Sequence, residues 1–538
     1  MSVNSRSRSS LAGTTTLVRI GLRRDRARVA AWTVTLAVLV VAIAASWDRL
    51  YPTQQSRREL AATLALSPSL TAILGPLFNP LSTGGLTAWR SIAGYVLVLA
   101  LVECFVVVRH SRANEQDGVA ELVCSGVVGA AAQATAAFLV ATAYGVGFGL
   151  MTVVGLFASG LTIGGSLALA AAISGAGAIF AGIAVITSQL AHSSRGANGL
   201  SGALIAAFFA ISAVGNASAH SPLVWMSPFG WAEQVRAFDN ERWWLIGFMW
   251  GSAICASIMG TAISARRDLG ASLLPARLGR LTAPSYLAHP TALAWRLDRG
   301  WLMQWLVGAL LLGALEGSIL NTSLQAMASN PAFVTMIENL GGSTNLASAF
   351  IVLMVGMFAL GACGFGIATL LRLRQDELAG RAELTLSTST TRTSWASGHV
   401  LLSYLGAALV VMAGGLGIGL VYGTTDGQVA TIAGHAVGAA LITVPAVWSV
   451  LGICALALGF TPQWSFIGWI ALAWCVIAGW FGVILGLPDA ILTTSPFGHL
   501  PGWPGAPMSW TPEVALLLVS AGCVASARLA LTRRDLPS

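Results

Sequence analysis

Twelve apolar stretches of roughly bilayer length, parted by shorter polar segments, dictate what this 538-residue chain can become. A helix crossing the hydrocarbon core takes about 20 residues and must hydrogen-bond its backbone within itself, because no water is at hand. The stretches run near 30–47, 91–109, 127–157, 163–190, 200–219 and 243–263, then near 301–320, 345–370, 399–422, 430–459, 464–486 and 512–530. Charged side chains make up 9% of the chain, against about 25% in soluble domains, so one oversized soluble core is excluded. The expected class is an all-α polytopic membrane protein with about 12 transmembrane helices. Glycine and alanine recur inside the stretches, as in 129–137 and 171–182, and allow helices to approach closely.

Arginine gives the orientation. The chain has no lysine, and its 29 basic side chains are all arginine. With the N-terminus in the cytoplasm, 23 of them fall on the inside and only Arg49, Arg57, Arg58, Arg90, Arg236 and Arg242 outside. That excess places both termini in the cytoplasm. The net charge of +8 is spread over these inside segments, so it points to the membrane surface and not to nucleic acid.

Two polar segments on the inside carry the same pattern, R-x-x-E-x-x-G-x-x-E-L-x-x-S. Arg112, Glu115, Gly118, Glu121 and Leu122 pair with Arg374, Glu377, Gly380, Glu383 and Leu384, each 262 residues on. Ser67-Pro68-Ser69-Leu70 and Asn330-Pro331-Ala332-Phe333 repeat at 263, and Ser227-Pro228-Phe229-Gly230 and Ser495-Pro496-Phe497-Gly498 at 268. Ordered matches at nearly one offset mark an internal duplication. Each half holds an even number of spans, so the two are parallel repeats. The expected organisation is a cytoplasmic N-terminal segment over 1–29, a first six-helix half over 30–263, a cytoplasmic linker over 264–300, a second six-helix half over 301–530 and a tail over 531–538.

Two external segments interrupt the hairpin pattern in each half. The first, 48–90, is expected to form a short helix around Arg57–Leu66 and to turn at Pro68, Pro76 and Pro80; its counterpart is 321–344. The second, 219–242, mixes Pro222 and Pro228 with Trp225 and Trp231, and its counterpart 487–511 holds Pro488, Pro496, Pro501, Pro504 and Pro507. Pro228, Phe229, Pro496 and Phe497 are candidates for an outer gate, with an inert external cap as the equal alternative.

Catalysis is excluded for the chain alone. A Walker A loop needs a lysine, and the chain has none. No H-E-x-x-H, nucleophile elbow or metal-ligand spacing appears, and the seven cysteines lie in or beside apolar runs, as small buried groups do. Function then falls to the membrane body and to the repeated inside motif. Spacings of three and four place Glu115, Gly118, Glu121 and Leu122 on a short amphipathic helix that presents Glu115 and Glu121 to water or to a basic groove. Glu377 and Glu383 do the same in the second copy, with Arg381 adding an opposite charge. A matched pair of such helices fits two copies of one soluble partner. Glu103 and Glu316 are carboxylates inside spans, and with Phe105 and Phe358 they are candidates for a transport path.

The R-x-x-E-x-x-G-x-x-E-L element between the second and third spans resembles the coupling-helix region of bacterial ABC-2 type exporter permeases. The fused, duplicated arrangement is similar to actinobacterial permeases for tetronasin and other polyketide antibiotics and to mycobacterial multidrug efflux permeases. The resemblance implies a type V exporter fold in an actinobacterial plasma membrane, with a homodimeric pair of separate ATP-binding subunits supplying ATP and Mg. It implies that Glu115–Leu122 and Glu377–Leu384 meet those subunits, that Leu17–Arg28 forms an interfacial elbow helix, and that the cargo is a small amphipathic compound such as an antibiotic, a drug, a polyketide or a lipid. Two other readings stay open: a proton-coupled secondary transporter using Glu103 or Glu316, and a membrane scaffold without flux.

Overall fold

A computed structural model describes residues 10–534 except 66–67, 127, 218–220, 269, 274–281, 283, 329–345, 482–487 and 505–507. The repeat match at 330–333, most of the segment 321–344, Ser67, Pro507 and residues 535–538 lie outside the described residues. The chain divides into two compact units, Met1–Gly279 and Arg280–Ser538.

Among the described residues, twelve helices are long and apolar enough to cross a membrane. In the first unit they are α1 (Thr14–Leu50), α2 (Thr83–Gln116), α3 (Ala132–Ala158), α4 (Ile163–Leu190), α5 (Ser194–Ala217) and α6 (Trp243–Arg266). In the second they are α7 (Pro290–Leu320), α8 (Ala347–Leu378), α9 (Arg392–Thr425), α10 (Val429–Phe460), α11 (Pro462–Gly479) and α12 (Trp510–Arg533). Each apolar stretch of the sequence holds one of these helices.

Several helices outrun their apolar stretch. The arginine-rich segment Leu17–Arg28 is the first third of one unbroken helix α1 and does not turn before the first span. No proline and only one glycine stand between Thr14 and Leu50, so nothing in the sequence stops the helix. Likewise α2 and α8 continue through the first residues of the repeated motif, and α2 passes through a π-helical turn at Arg109–Ala113 on the way.

Small residues set the packing. In the first unit α4 is central and mostly buried. A Cβ on Gly182 would stand 2.8 Å from Ala253 O on α6, so that crossing is backbone to backbone. In the second unit Gly313 and Gly317 of α7 meet Gly414 and Ile418 of α9 in the same way, each directly against a backbone oxygen. Without a hydrophobic drive between helices in lipid, this closeness supplies the dispersion contact that holds them.

At the end away from the motif, the first unit has helices Gln54–Ala65 and Pro68–Leu74, a 3₁₀ turn Pro222–Met226 and a helix Pro228–Gln234. Pro68 opens a second helix there, beyond the turn expected of it, because the first helical position needs no N–H. The second unit has the short helix Asp489–Leu492 and the 3₁₀ turn Pro496–His499 at its corresponding segment.

Candidate functional site: the motif ends of the two units

Each copy of the motif is split at its glycine. In the first, α2 ends at Gln116, Gly118 takes φ +72°, and a separate helix Val119–Cys124 follows. In the second, α8 ends at Leu378, Gly380 takes φ +68°, and a helix Arg381–Leu386 follows. Nothing lies within 4 Å of where a Cβ would sit on either glycine, so the residue serves backbone handedness and not space. Ser125 Oγ donates to Leu122 O at 2.7 Å and Ser387 Oγ to Leu384 O at 2.9 Å, closing both short helices alike.

This break separates the two glutamates of each motif, which their spacing alone puts together on one exposed helix. Glu121 and Glu383 are exposed, beside Leu122 at 79% and Leu384 at 74% exposure. Ala120 and Ala382 turn inward, each 2% exposed. Glu115 and Glu377 instead sit on the spanning helices before the glycine, and their side chains are buried in ion pairs. A six-residue helix thus presents a glutamate and a leucine outward, while the earlier glutamate fastens its root.

The fastening partner is an arginine at the end of the sixth span of each unit. Arg267 Nη2 donates to Glu115 Oε1 at 2.6 Å. Arg534 Nη2 and Nη1 donate to the two oxygens of Glu377 at 2.5 and 3.3 Å. The sequence holds a signal for this, since Arg-Arg-Asp-Leu occurs at both 266–269 and 533–536. In the first unit Arg112 joins in: Nη1 donates to Glu115 Oε2 at 2.6 Å and to Ala271 O at 2.8 Å, and Nη2 to His192 O at 2.9 Å. One 1%-exposed guanidinium therefore ties the motif to the ends of α4 and α6. Arg374 is half-buried and has no hydrogen bond among the described residues, while Arg381 pairs with Asp376 across the glycine at 2.8 Å.

A second pair of ion clusters lies outside the repeated motif, and sequence reasoning misses it. Asp25 on α1 is wholly buried and bound by Arg109 of α2, with His110 Nε2 at 2.7 Å and Arg28 Nη1 at 3.3 Å. Asp298 on α7 is equally buried and bound by Arg372 of α8, with His399 Nδ1 3.7 Å away. Asp-Arg at 25–26 and 298–299 is followed in both units by a tryptophan, Trp32 and Trp305, at an offset of 273. Each cluster locks the first span of its unit to the second, a few residues before the motif. Buried pairs of this kind lose about 3–5 kcal/mol when one partner is removed.

The candidate path residues do not share one environment. Phe105 is 52% exposed on α2, whereas Phe358 is 8% exposed in the core of the second unit, against Gly414. Glu103 is wholly buried on α2 and is not paired with Arg109; its Oε1 lies close against where a Cβ on Gly145 would be, and 3.1 Å from where one on Gly177 would be. Glu316 is half-buried on α7. Of the outer candidates, Pro228 opens a helix and Phe229 is 1% exposed, with ring centroids 5.6 Å from Phe180 and 5.4 Å from Phe209. Pro496 opens only a 3₁₀ turn and Phe497 is half-buried. Beside Phe229, Glu233 is enclosed and accepts from Asn216 Nδ2 at 2.9 Å; burial pushes its carboxyl up to about 8.

Among the described residues no three His, Cys, Asp or Glu side chains gather as metal ligands. Residues 287–531 match the family described as "Multidrug efflux system permease Rv1217c, C-terminal domain". Over 528 residues the chain is 33% identical to the multidrug efflux system permease protein Rv1217c of Mycobacterium tuberculosis, covering 98% of this chain and 96% of that protein.

Proposed function

Since the chain belongs to the Rv1217c-like, ABC-2 type multidrug efflux permeases, we propose that it is the transmembrane subunit of an ATP-driven exporter of small amphipathic compounds. Two separate ABC-type ATP-binding subunits, carrying ATP and Mg, dock on the short helices Val119–Cys124 and Arg381–Leu386. The observation that carries this reading is the duplicated exposed pair, Glu121–Leu122 and Glu383–Leu384, on helices rooted by buried glutamate–arginine pairs. A soft loop would absorb a push from a partner. These roots pass it on to the ends of α2 and α6 in the first unit and of α8 and α12 in the second, and coupling needs contact that changes with nucleotide state.

In this reading both termini and both short helices face the cytoplasm of a bacterial plasma membrane, the side the arginine excess favours. Residues 1–29 and the linker 264–300 lie on that side, and the segments around Phe229 and Phe497 lie outside. Glu121 and Glu383 supply the charges that a basic groove on the ATP-binding subunit meets, and Leu122 and Leu384 supply the apolar contact. The test is purification of the tagged chain with its ABC-type ATP-binding subunit, followed by ATP turnover. Reversing charge with Glu121→Arg and Glu383→Arg together is expected to remove the subunit and its drug-stimulated turnover. Unchanged assembly and transport would sink the reading.

One observation favours a proton-driven alternative: neither carboxyl oxygen of the enclosed Glu103 has a hydrogen-bond partner among the described residues. Drug flux from vesicles holding this chain alone, driven by an imposed proton gradient and lost in Glu103→Gln, would support that alternative over ATP coupling.

A further inference from the structure

The two units hold cavities at matching places, and the two cavities differ in kind. The first, about 250 Å³, is lined by Ser111, Gln133 and Ser264 beside the Glu115–Arg267 pair. The second, about 1330 Å³, has Leu373, Trp395 and Leu531 at the corresponding positions, 262, 262 and 267 residues on, beside the Glu377–Arg534 pair. Polar lining has given way to apolar, and the space has opened. Sites that enclose drug-sized ligands measure about 300–1,000 Å³, so the first is too small and the second is ample.

The lining of the second cavity also carries charge. Arg374, Arg528 and Arg534 line it with a single acid, Glu377. Glu377 already holds Arg534 through both of its oxygens. The half-buried Arg374 and the exposed Arg528 are left with no acidic partner among the described residues. Further along, Tyr404 and Trp448 contribute ring surface whose polar atoms are spoken for: Tyr404 donates to Trp448 O at 3.3 Å and Trp448 Nε1 to Tyr404 O at 3.0 Å.

We propose that this cavity binds a small amphipathic acid, its carboxylate at Arg374 and Arg528 and its hydrocarbon body on Trp395, Tyr404 and Trp448. A free acid fits better than an acidic phospholipid because Arg374 opens the motif whose short helix is assigned to the ATP-binding subunit. A bulk lipid would fill the site permanently and report nothing, whereas a scarce acid makes occupancy a signal at that helix. The signalling role rests on the exporter reading; the binding site itself does not.

The test uses the full chain alone, in phosphatidylcholine nanodiscs, with a diazirine-bearing palmitic acid located by peptide mass spectrometry. Adducts are expected on the cavity faces of α9 and α12. Palmitic acid is expected to displace the probe at least about tenfold better than methyl palmitate, and Arg374→Gln with Arg528→Gln to cut labelling about tenfold, since a hydrogen bond to a charged group is at stake. The ester comparison uses the unaltered chain and so stands even if that variant fails to fold. Adducts spread over the whole surface, equal competition by the ester, or displacement by phosphatidylglycerol at equal mole fraction would each overturn the proposal, the last in favour of a lipid headgroup. Because no ATP-binding subunit is present, a failure here leaves the exporter reading standing, and loss of that subunit in the purification test leaves this site standing.

Discussion

Arg112 and Arg374 occupy the same place in two copies of one motif and do different work. Arg112 is 1% exposed and spends its guanidinium on Glu115 and on backbone carbonyls of His192, Gly270 and Ala271. Arg374 has no such bonds among the described residues and faces a large apolar cavity. What the copies share is the backbone device: a left-handed glycine, a serine closing the helix, and a glutamate held by an arginine of the sixth span. Duplication has kept the parts that position the short helix, and the copies have drifted apart where the motif borders open space. One copy is a rigid mount, and the other is a mount with room beside it.

The largest effect that could break this comparison lies in the roots. Glu115→Ala leaves Arg112 and Arg267, with side chains 2% and 5% exposed, facing each other without a counter-charge. The expected cost is about 3 kcal/mol, read from thermal unfolding in detergent. Glu377→Ala is expected to cost about 1–2 kcal/mol, because Arg534 at 13% exposure can turn toward water. Equal losses would mean that the roots are equivalent and that the contrast drawn at Arg112 and Arg374 has no energetic weight.

The glycines come next, and there the copies should agree. Gly118→Ala and Gly380→Ala each force a Cβ into the left-handed region at about 1–2 kcal/mol, with open space around both. A difference of more than about 1 kcal/mol between them would show that the turns are not the same device.

A smaller effect separates the opposite ends of the units. Glu233 of the first unit is buried with its carboxyl raised to about 8 from 4.5, by desolvation that the bond from Asn216 only partly offsets. A group raised in the folded state binds its proton more tightly there. Its contribution is therefore complete below about pH 4.5 and is lost as pH rises through about 8. Melting curves across that window should fall with pH in the wild type and flatten in Glu233→Gln.

The smallest change in stability is expected at the tips. Leu122→Ala and Leu384→Ala remove exposed side chains and should shift stability by less than about 0.5 kcal/mol. Both should still weaken recovery of the ATP-binding subunit. A loss of stability without a loss of binding would move the leucines from contact residues to packing residues.

Much of this architecture is legible in the amino-acid sequence. The twelve helices follow from apolar length, and the exposure of Glu121 and Glu383 from a polar motif between apolar runs, whereas the outward turn of Leu122 and Leu384 does not. The role of Glu115 is not legible there, since on a short helix it looks like Glu121. Gly118 splits them, and only the fold brings Arg267 to one and leaves the other in water. The Asp25–Arg109 and Asp298–Arg372 clusters are hidden for the same reason. Their residues repeat in the sequence, but at 273 for the aspartates and 263 for the arginines, so a search at one offset passes over them.

By itself the sequence determined the class of protein, the number of helices, the duplication and the lack of a Walker A loop. Those follow from local facts, the length of an apolar run or the absence of lysine, which hold in any arrangement of the chain. Tertiary structure alone decided which carboxylates are buried, which arginines they hold, and that one of two matching cavities is large and apolar. Burial and pairing depend on segments as much as 159 residues apart meeting, and no local pattern carries that distance.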